Sequence, residues 1–246
     1  MKYSNSQKSK RMVRVDLVRR AQIGLRLRAK SHAQLIRAAR ALFAIRPVDS
    51  ITVDDVTREA ELAKGTFYVH FEHLDDLRAA VADELARELD DLLQPHRTAI
   101  ADPVERIAKG CAAFIRQALH DPTWGGLAAR GVWAFPTIAT AARKRLSEDL
   151  RAAIAQGRIA SVSAEVGFDI AIGSVLQAMR SASEKRLSPS DLPAAVSGIL
   201  RGLGVAADEA EQIVRRLPEP LLLTKSSNRL PIDTLVDRNN NRTKRT

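Results

Sequence analysis

The stretch ITVDDVTREAELAKGTFYVHF, residues 51–71, decides the fold of this chain. Thr52, followed by Asp55 three residues later, is close to a capping box and marks the start of a helix. The apolar residues that follow have helical spacing: Val53, Val56 and Ala60. After a tight turn, a second short helix is expected from about residue 63 to residue 71. Two short helices joined in this way predict a helix-turn-helix unit.

The second short helix has two chemically different faces. Phe67 and Phe71 are four residues apart, so they share one face and pack the helix against its neighbours. Gly65 lets the backbone come close to a bound molecule. The polar residues are expected on the other side: Lys64, Thr66, Tyr68 and His70. Lysine and hydroxyl groups suit phosphate oxygens and base edges, so this face is expected to read DNA. An ordinary solvated helix face is the alternative.

Further helices flank the unit on both sides. The helix before it starts near Ser31, ends at Arg46–Pro47 and has one apolar stripe: Leu35, Ala39, Leu42 and Phe43. The helix after it runs from about residue 73 to residue 93. Six more helices are expected at about 102–120, 123–132, 136–156, 163–185, 190–203 and 207–216. No segment alternates as a strand, so the sequence predicts an all-α protein.

Positive charge is concentrated at the two ends of the chain. Its 246 residues have a formal net charge of +10. Residues 1–30 hold ten Lys and Arg against one Asp, and residues 225–246 hold six against two. The intervening part is therefore slightly acidic. Basic ends favour polyanions such as nucleic acid or anionic lipid. The first ten residues are expected to lack structure.

Composition limits the cellular setting and the class of protein. A hydrophobic content of 45% supports a real core. No apolar run approaches the roughly 18 residues of a membrane span, so no membrane partner is expected. A single cysteine, Cys111, rules out an intrachain disulfide and fits a reducing cytoplasm.

Breaks in the pattern divide the chain into four parts. They are a basic N-terminal extension at 1–28, a domain at 29–89 that contains the helix-turn-helix motif at 52–71 and is expected to bind DNA, a helical domain at 95–217 that is expected to bind a ligand and to dimerise, and a flexible basic tail expected at 218–246. The fold class is thus an N-terminal three-helix helix-turn-helix domain followed by a helical bundle.

Residues 51–81, ITVDDVTREAELAKGTFYVHFEHLDDLRAAV, resemble the N-terminal domain of TetR-family transcriptional regulators. The most specific part is KGTFYVHF, residues 64–71, and the resemblance extends over about 29–89. It implies that Thr52 and Thr66 contact phosphates. It also implies phosphate or base contacts for the remaining candidates: Lys64, Gly65, Tyr68 and His70.

Three positions depart from the family pattern. Leu74 stands where the family commonly has lysine, at the start of the fourth helix. Glu61 stands where the family often has glycine at the turn, and a left-handed Glu61 would be strained by about 1 kcal/mol. Ala63 stands where the family often has Ser or Thr, so the third helix is expected to lack its side-chain cap, at a cost of about 1 kcal/mol.

One short recognition helix reads only a few base pairs, so a homodimer on a palindromic operator is expected. The last long helices are the predicted pairing surface, because apolar residues alternate there with the small Gly173 and Gly198. The resemblance implies that they build a four-helix bundle with the partner. The candidate interface residues are Val175, Met179, Val196, Ile199, Leu200 and Leu203. Burial in the chain's own core is the alternative.

A sensor pocket would be apolar with a few polar groups and lined by helices of the bundle. The candidate lining residues are Cys111, Phe114, Trp124, Leu127, Trp133, Phe135, Phe168 and Ile172. The expected effector is a small hydrophobic molecule. Each of these residues has an ordinary core position as its alternative.

The expected function is that of a DNA-binding transcriptional regulator, a repressor released by a small hydrophobic ligand. The five histidines show no metal-ligand spacing and no catalytic motif occurs, so no enzyme activity, metal or cofactor is expected. One alternative is a regulator of the same fold without a small-molecule ligand. The other is a basic helical protein that binds RNA or an anionic membrane surface.

Overall fold

The computed structural model describes residues 4–93, 100–135, 138, 140–160 and 162–217, with side chains from residue 22 onward. The described residues form α-helices and no strand, so the all-α prediction is confirmed. The helices are α1 (Ser4–Ile45), α2 (Val53–Glu59), α3 (Lys64–Tyr68), α4 (Leu74–Leu93), α5 (Pro103–His120), α6 (Pro122–Ala134), α7 (Thr140–Ala155), α8 (Ala164–Ser183), α9 (Leu192–Gly202) and α10 (Ala207–Arg215). Two short 3-10 turns lie at Val48–Ser50 and Pro189–Asp191.

The N-terminal end of the chain differs from the prediction. The sequence predicts no structure for residues 4–10, but α1 begins at Ser4 and continues for 42 residues. Gly24 is the only glycine of α1 and the helix contains no proline, so no strong helix breaker interrupts it over this length. Helix α1 therefore crosses the predicted boundary between 1–28 and 29–89 without a break. The predicted tail at 218–246 lies outside the described residues.

Local capping explains where the bundle helices start. Asp102 accepts hydrogen bonds from the backbone N–H groups of Val104 and Glu105, and Pro103 occupies the first helical position of α5. Asp121 and Pro122 repeat this arrangement at the start of α6. Because of the second cap, α6 begins directly after α5 ends. The sequence pattern predicted the starts of both helices to within two residues.

The N-terminal half is packed around buried residues of α1 to α4. Phe43 and Phe67 are fully buried, together with Leu35, Val56, Leu77 and Val81. In the C-terminal half, α5 lies centrally and contacts α6, α7, α8 and α9. The close approach of α5 and α6 requires Gly125, because a Cβ there would lie 2.6 Å from the Cβ of Ala118.

Helices α1, α4 and α6 join the two halves. Glu88 on α4 accepts hydrogen bonds from Arg40 of α1 at 2.8 Å and from the indole N–H of Trp124 on α6 at 3.1 Å. Burial acts to lower the pKa of Arg40, but the hydrogen bond and charge of Glu88 outweigh it, so the net shift is upward. Arg130 of α6 also donates to the carbonyl of Ala44 at 3.0 Å. These hydrogen bonds thus connect the helices that flank the helix-turn-helix unit directly to the bundle.

Candidate DNA-binding surface and effector cavity

Helix α2 begins with the predicted cap. Thr52 accepts a hydrogen bond from the backbone N–H of Asp55, while the Asp55 carboxylate accepts from both the N–H and the hydroxyl of Thr52. The hydrogen bonds from the Thr52 side chain and backbone lower the pKa of Asp55. Both donors of Thr52 are therefore already used inside the chain, which limits its predicted contact with a phosphate.

The turn between α2 and α3 has the expected departures. Glu61 has a φ of 54°, in the left-handed region that favours glycine. Ala63 caps α3 without any side-chain hydrogen bond. Both expectations are confirmed, and the two features together weaken the local support of a helix only five residues long.

Packing of phenylalanines compensates for that weak local support. Phe67 is fully buried and Phe71 is buried, with their ring centroids 5.6 Å apart. Burying a phenylalanine side chain stabilises a fold by about 1.5–3 kcal/mol, more than the missing cap and the strained turn cost individually. The two rings therefore fix which face of α3 points outward.

The outward face of α3 contains four of the six predicted DNA-binding residues. Lys64 and Gly65 are exposed, Thr66 is half-buried, and Tyr68 is 55% exposed. A Cβ at Gly65 would meet no atom within 4 Å, so the backbone there is open to an approaching molecule. Val69 is exposed beside them, although its apolar side chain carries no signal that would identify it in the sequence.

Lys64 has a partner in the free protein. Its ammonium group lies 2.8 Å from the carboxylate of Asp54, and this hydrogen bond and charge raise the pKa of Lys64. Both side chains are more than half exposed, so the pair adds little stability. A phosphate oxygen can therefore displace Asp54 at small cost.

His70 lies in a different place from the one predicted. The sequence predicts it on the outward face, but it is half-buried against α1, where its Nε2 lies 2.7 Å from the hydroxyl of Ser31. Its ring also contacts the ring of His32 edge-on at 5.5 Å. Burial, followed by the nearby charges of His32 and Arg28, lowers the pKa of His70. The side chain holds α3 against α1 rather than facing solvent.

A cavity of 520 Å³ lies in the C-terminal half between α4, α5, α6, α7 and α8. Four of the predicted residues line it: Cys111, Phe114, Phe168 and Ile172. Cys111 is buried, and burial raises the pKa of its thiol to about 12. This volume falls within the roughly 300–1,000 Å³ of small-molecule sites.

The other four predicted lining residues lie elsewhere. Trp124 is buried and bound to Glu88, and Leu127 is part of the fully buried core. Trp133 is 70% exposed. Phe135 packs towards Phe43, with ring centroids 6.4 Å apart. Helical spacing identifies apolar residues of α6 but cannot distinguish the face on the cavity from the face on α1.

Charged residues that sequence reasoning missed surround the cavity. Arg106 pairs with Asp149 at 2.7 Å, and Arg145 pairs with Asp90. The Nη1 atom of Arg145 is buried and forms no hydrogen bond within the described residues. The guanidinium group of Arg143 lies 4.3 Å above the ring of Phe168. The wall therefore carries more charged side chains than the predicted apolar wall with a few polar groups.

The residues predicted for the dimer interface are not on the surface of the chain. All six are buried in the core of their own chain: Val175, Met179, Val196, Ile199, Leu200 and Leu203. They are apolar because α8 and α9 pack against α5 and against each other. The opposite faces of these two helices are open, and a Cβ at Gly173 or Gly198 would meet no atom within 4 Å.

Neither a metal site nor a membrane span occurs among the described residues. No group of three or more His, Cys, Asp or Glu side chains in that part of the chain is arranged to hold a metal ion. Across the same residues, no helix has both the length and the apolar character needed to cross a membrane.

Two family models match the chain. The model described as "Bacterial regulatory proteins, tetR family" matches residues 35–81, which contain α2 and α3. The model described as "Tetracyclin repressor-like, C-terminal domain" matches residues 102–216, which contain most of the cavity wall. No curated protein sequence matches.

Solved structures extend the match over both halves. RolR without ligand is 30% identical with a TM-score of 0.54, and the alignment covers 76% of this chain and 98% of that one. RolR in complex with resorcinol is 29% identical with a TM-score of 0.52, covering 79% and 98%. A gamma-butyrolactone receptor described as ArpA-like has a TM-score of 0.61 over 77% and 97%. At 19% identity it is a likeness of fold alone. The recognition helix, the bundle and these matches agree, and the chain belongs to the TetR family of DNA-binding transcriptional regulators.

Proposed function

We propose that this regulator is a repressor that binds a palindromic operator as a homodimer and leaves it when a small molecule fills the cavity. The observation behind the proposal is that one chain holds both an outward polar recognition helix and a separate cavity of 520 Å³. Because the proposed target is bacterial DNA, we expect the protein to act in the cytoplasm.

In this proposal α3 enters the major groove with its outward face towards the bases. Lys64 exchanges Asp54 for a phosphate, and Gly65 allows the backbone to approach the duplex. Thr66 and Tyr68 offer hydroxyl groups to phosphates or base edges. Thr52 is the weakest of the proposed contacts because its donors are bound to Asp55.

His70 has a positioning role in the proposal. Its contact with Ser31 holds α3 against α1, so its loss would misplace the reading face without removing a DNA contact.

The proposed effector is a small aromatic molecule that bears oxygen substituents. Phe114 and Phe168 supply aromatic surface in the cavity wall. Arg145 lines the cavity, and its buried Nη1 finds no acceptor among the described residues, so a small side-chain movement would let an oxygen of the effector satisfy a donor that is costly to leave unpaired. The similar protein RolR was solved with resorcinol, a ligand of this chemical class.

The proposed dimer uses the outward faces of α8 and α9. Their exposed or half-exposed residues include Val166, Ile170, Gly173, Gln177, Ala194 and Gly198. Because Gly173 and Gly198 meet open space in the single chain, helices of a second copy can approach closely there. A Gly173→Gln, Gly198→Gln variant should keep its fold and shift towards monomer in sedimentation. An unchanged dimer would reject this surface.

Selection of bound duplexes from a random pool tests the DNA-reading part. The full chain should enrich a palindromic consensus whose half-sites lie about one helical turn apart. Enrichment of a non-palindromic site would overturn the dimeric arrangement. Binding to RNA or to anionic vesicles without any preferred duplex would overturn the function itself.

Thermal shift with a panel of phenols tests the effector part. A phenol that raises the melting temperature should also release the selected operator. The Arg145→Met variant should lose both responses, while Arg151→Met, on the exposed side of α7, should keep them. If no panel member shifts the wild type, release by this ligand class is rejected and a regulator without such a ligand remains.

A further inference from the structure

Helix α1 contacts both the bundle and the recognition helix α3. Near its C-terminal end it contacts α6, where Arg130 donates to the carbonyl of Ala44 at 3.0 Å. Sixteen residues earlier it passes the end of α3, where Arg28 donates to the carbonyl of Val69 at 3.0 Å. The part of α1 before Arg28 therefore continues past α3, away from the bundle.

This projecting part of α1 is long, and its described side chains are uncovered. Residues 4–27 of the helix span about 36 Å at 1.5 Å per residue, close to one turn of duplex DNA. The side chains of residues 22–28 are all exposed. Leu25 and Leu27 are each 62% exposed, so nothing in the described part of the chain covers this face.

The same segment is strongly basic. Between residues 4 and 30, α1 has a single acidic residue, Asp16. Its basic residues there are Lys8, Lys10, Arg11, Arg14, Arg19, Arg20, Arg26, Arg28 and Lys30. Within the described residues, Arg26, Arg28 and Lys30 make no ion pair with a carboxylate. The charges of these three side chains are thus available to an external polyanion.

We propose that residues 4–27 of α1 form a second DNA-contact element, a basic helix that lies along the duplex beside the half-site and binds phosphates beyond the base pairs read by α3. The Arg28–Val69 hydrogen bond joins the C-terminal end of this segment to the end of α3. Phosphate contacts do not depend on sequence, so this element adds affinity and salt dependence rather than specificity. The inference rests on the proposed DNA-reading function.

Charge neutralisation tests the phosphate contacts. The variant Lys8→Gln, Lys10→Gln, Arg11→Gln, Arg14→Gln keeps residues that favour helices while removing four charges. Its matched control removes four charges from the other end of the chain: Lys225→Gln, Arg229→Gln, Arg242→Gln, Lys244→Gln. Operator affinity is measured for both as a function of salt, on the selected duplex with long flanks.

We expect the slope of log K against log salt to become shallower by about 0.9 for each phosphate that the α1 variant no longer binds. The control should show a smaller change, and trimming the flanks from the duplex should remove the difference. An unchanged slope, or an equal change in both variants, overturns the second contact element.

Breaking the helix while keeping its charges tests the direction. Gly24→Pro interrupts α1 between the basic segment and Arg28, whereas Gly24→Ala adds a Cβ that meets no atom within 4 Å. Gly24→Pro should weaken binding to the long-flanked operator several-fold, and Gly24→Ala should preserve it. Equal affinity of both variants overturns the requirement for a continuous helix.

The outcomes separate this inference from the function on which it rests. If the wild type selects no preferred duplex, the proposed function fails and the inference falls with it. If the wild type selects an operator but the α1 variant binds it with unchanged salt dependence, only the inference fails. If the α1 variant loses binding to vesicles containing phosphatidylserine but keeps its operator affinity, the segment is a membrane-binding element and the inference is overturned.

Discussion

The recognition surface and the effector cavity are built in opposite ways. The surface comes from consecutive residues of one short helix, oriented by the fully buried Phe67, and its polar side chains have few partners. The cavity wall comes from five helices, and most of its charges are already paired, as in Arg106 with Asp149.

This difference indicates how each site responds to change. The recognition surface depends on a few neighbouring contacts, of which the fully buried Phe67 is the most central, so loss of that ring should disturb the whole surface. The cavity wall is supported by several ion pairs between helices, such as Arg106 with Asp149, so loss of one pair leaves the others in place. Only a ligand with different affinities for two arrangements of the chain can shift the equilibrium between them. Glu88, bound to Arg40 and Trp124, joins the N-terminal and C-terminal halves of the chain.

The largest expected effect comes from the anchor of the surface. Phe67→Ala should lower the free energy of unfolding by about 3–5 kcal/mol and abolish operator binding, because it empties a fully buried site. Urea denaturation followed by circular dichroism measures the change. A variant with wild-type stability would show that α3 does not depend on this ring.

The next effect concerns the cavity. Burial raises the pKa of Cys111 to about 12, so the reactive thiolate is scarce. Reaction with a disulfide reagent at pH 8 should be about a thousandfold slower than for an ordinary cysteine. It should become fast in urea, and Cys111 is the chain's only cysteine, so the signal is specific. Fast labelling of the folded protein would show that the wall is open at this point.

A smaller effect tests the contact between α1 and α6, which joins the two halves of the chain. A Cβ at Gly126 would lie 2.7 Å from the carbonyl oxygen of Ala44, so Gly126→Ala should push α6 away from α1. The expected loss of stability is about 1–3 kcal/mol. Gly65→Ala is the matched control, since its Cβ meets open space. Equal stability of the two variants in thermal denaturation would contradict the tight junction.

The smallest effect is electrostatic. Burial and the charges of His32 and Arg28 hold the pKa of His70 below its ordinary value, so protonation favours the unfolded chain. The shifted pKa of His70 does not affect the free energy of unfolding above about pH 6.5. As the pH falls below that value, the free energy of unfolding decreases. NMR titration should show a depressed pKa that rises in His32→Asn. A normal pKa in the wild type would contradict the half-buried position.

The sequence predicts the recognition unit well because its signals are local. Thr52 and Asp55 lie three residues apart, Phe67 and Phe71 four, and Glu61 marks a turn whose strain the structure confirms. His70 is the exception, since its position depends on Ser31 in another helix.

The cavity and the pairing surface were predicted less accurately because their positions depend on tertiary contacts. Periodicity shows that Trp133 and Val196 are apolar, but not that the first is exposed and the second buried. In the sequence, the arginines of α7 resemble a solvated helix face. In the structure, Arg143 and Arg145 line the cavity together with residues of α4 and α8. Burial of an apolar helix face also does not reveal whether its partner is in the same chain.

Operator binding by Tyr68→Ala tests most directly whether the outward face of α3 reads DNA. The residue is 55% exposed, so the substitution should leave the melting temperature within about 2 °C of the wild type. Fluorescence anisotropy on the selected operator should show binding weakened by about 1–3 kcal/mol. Unchanged affinity in a fully folded variant would contradict this placement of the recognition helix.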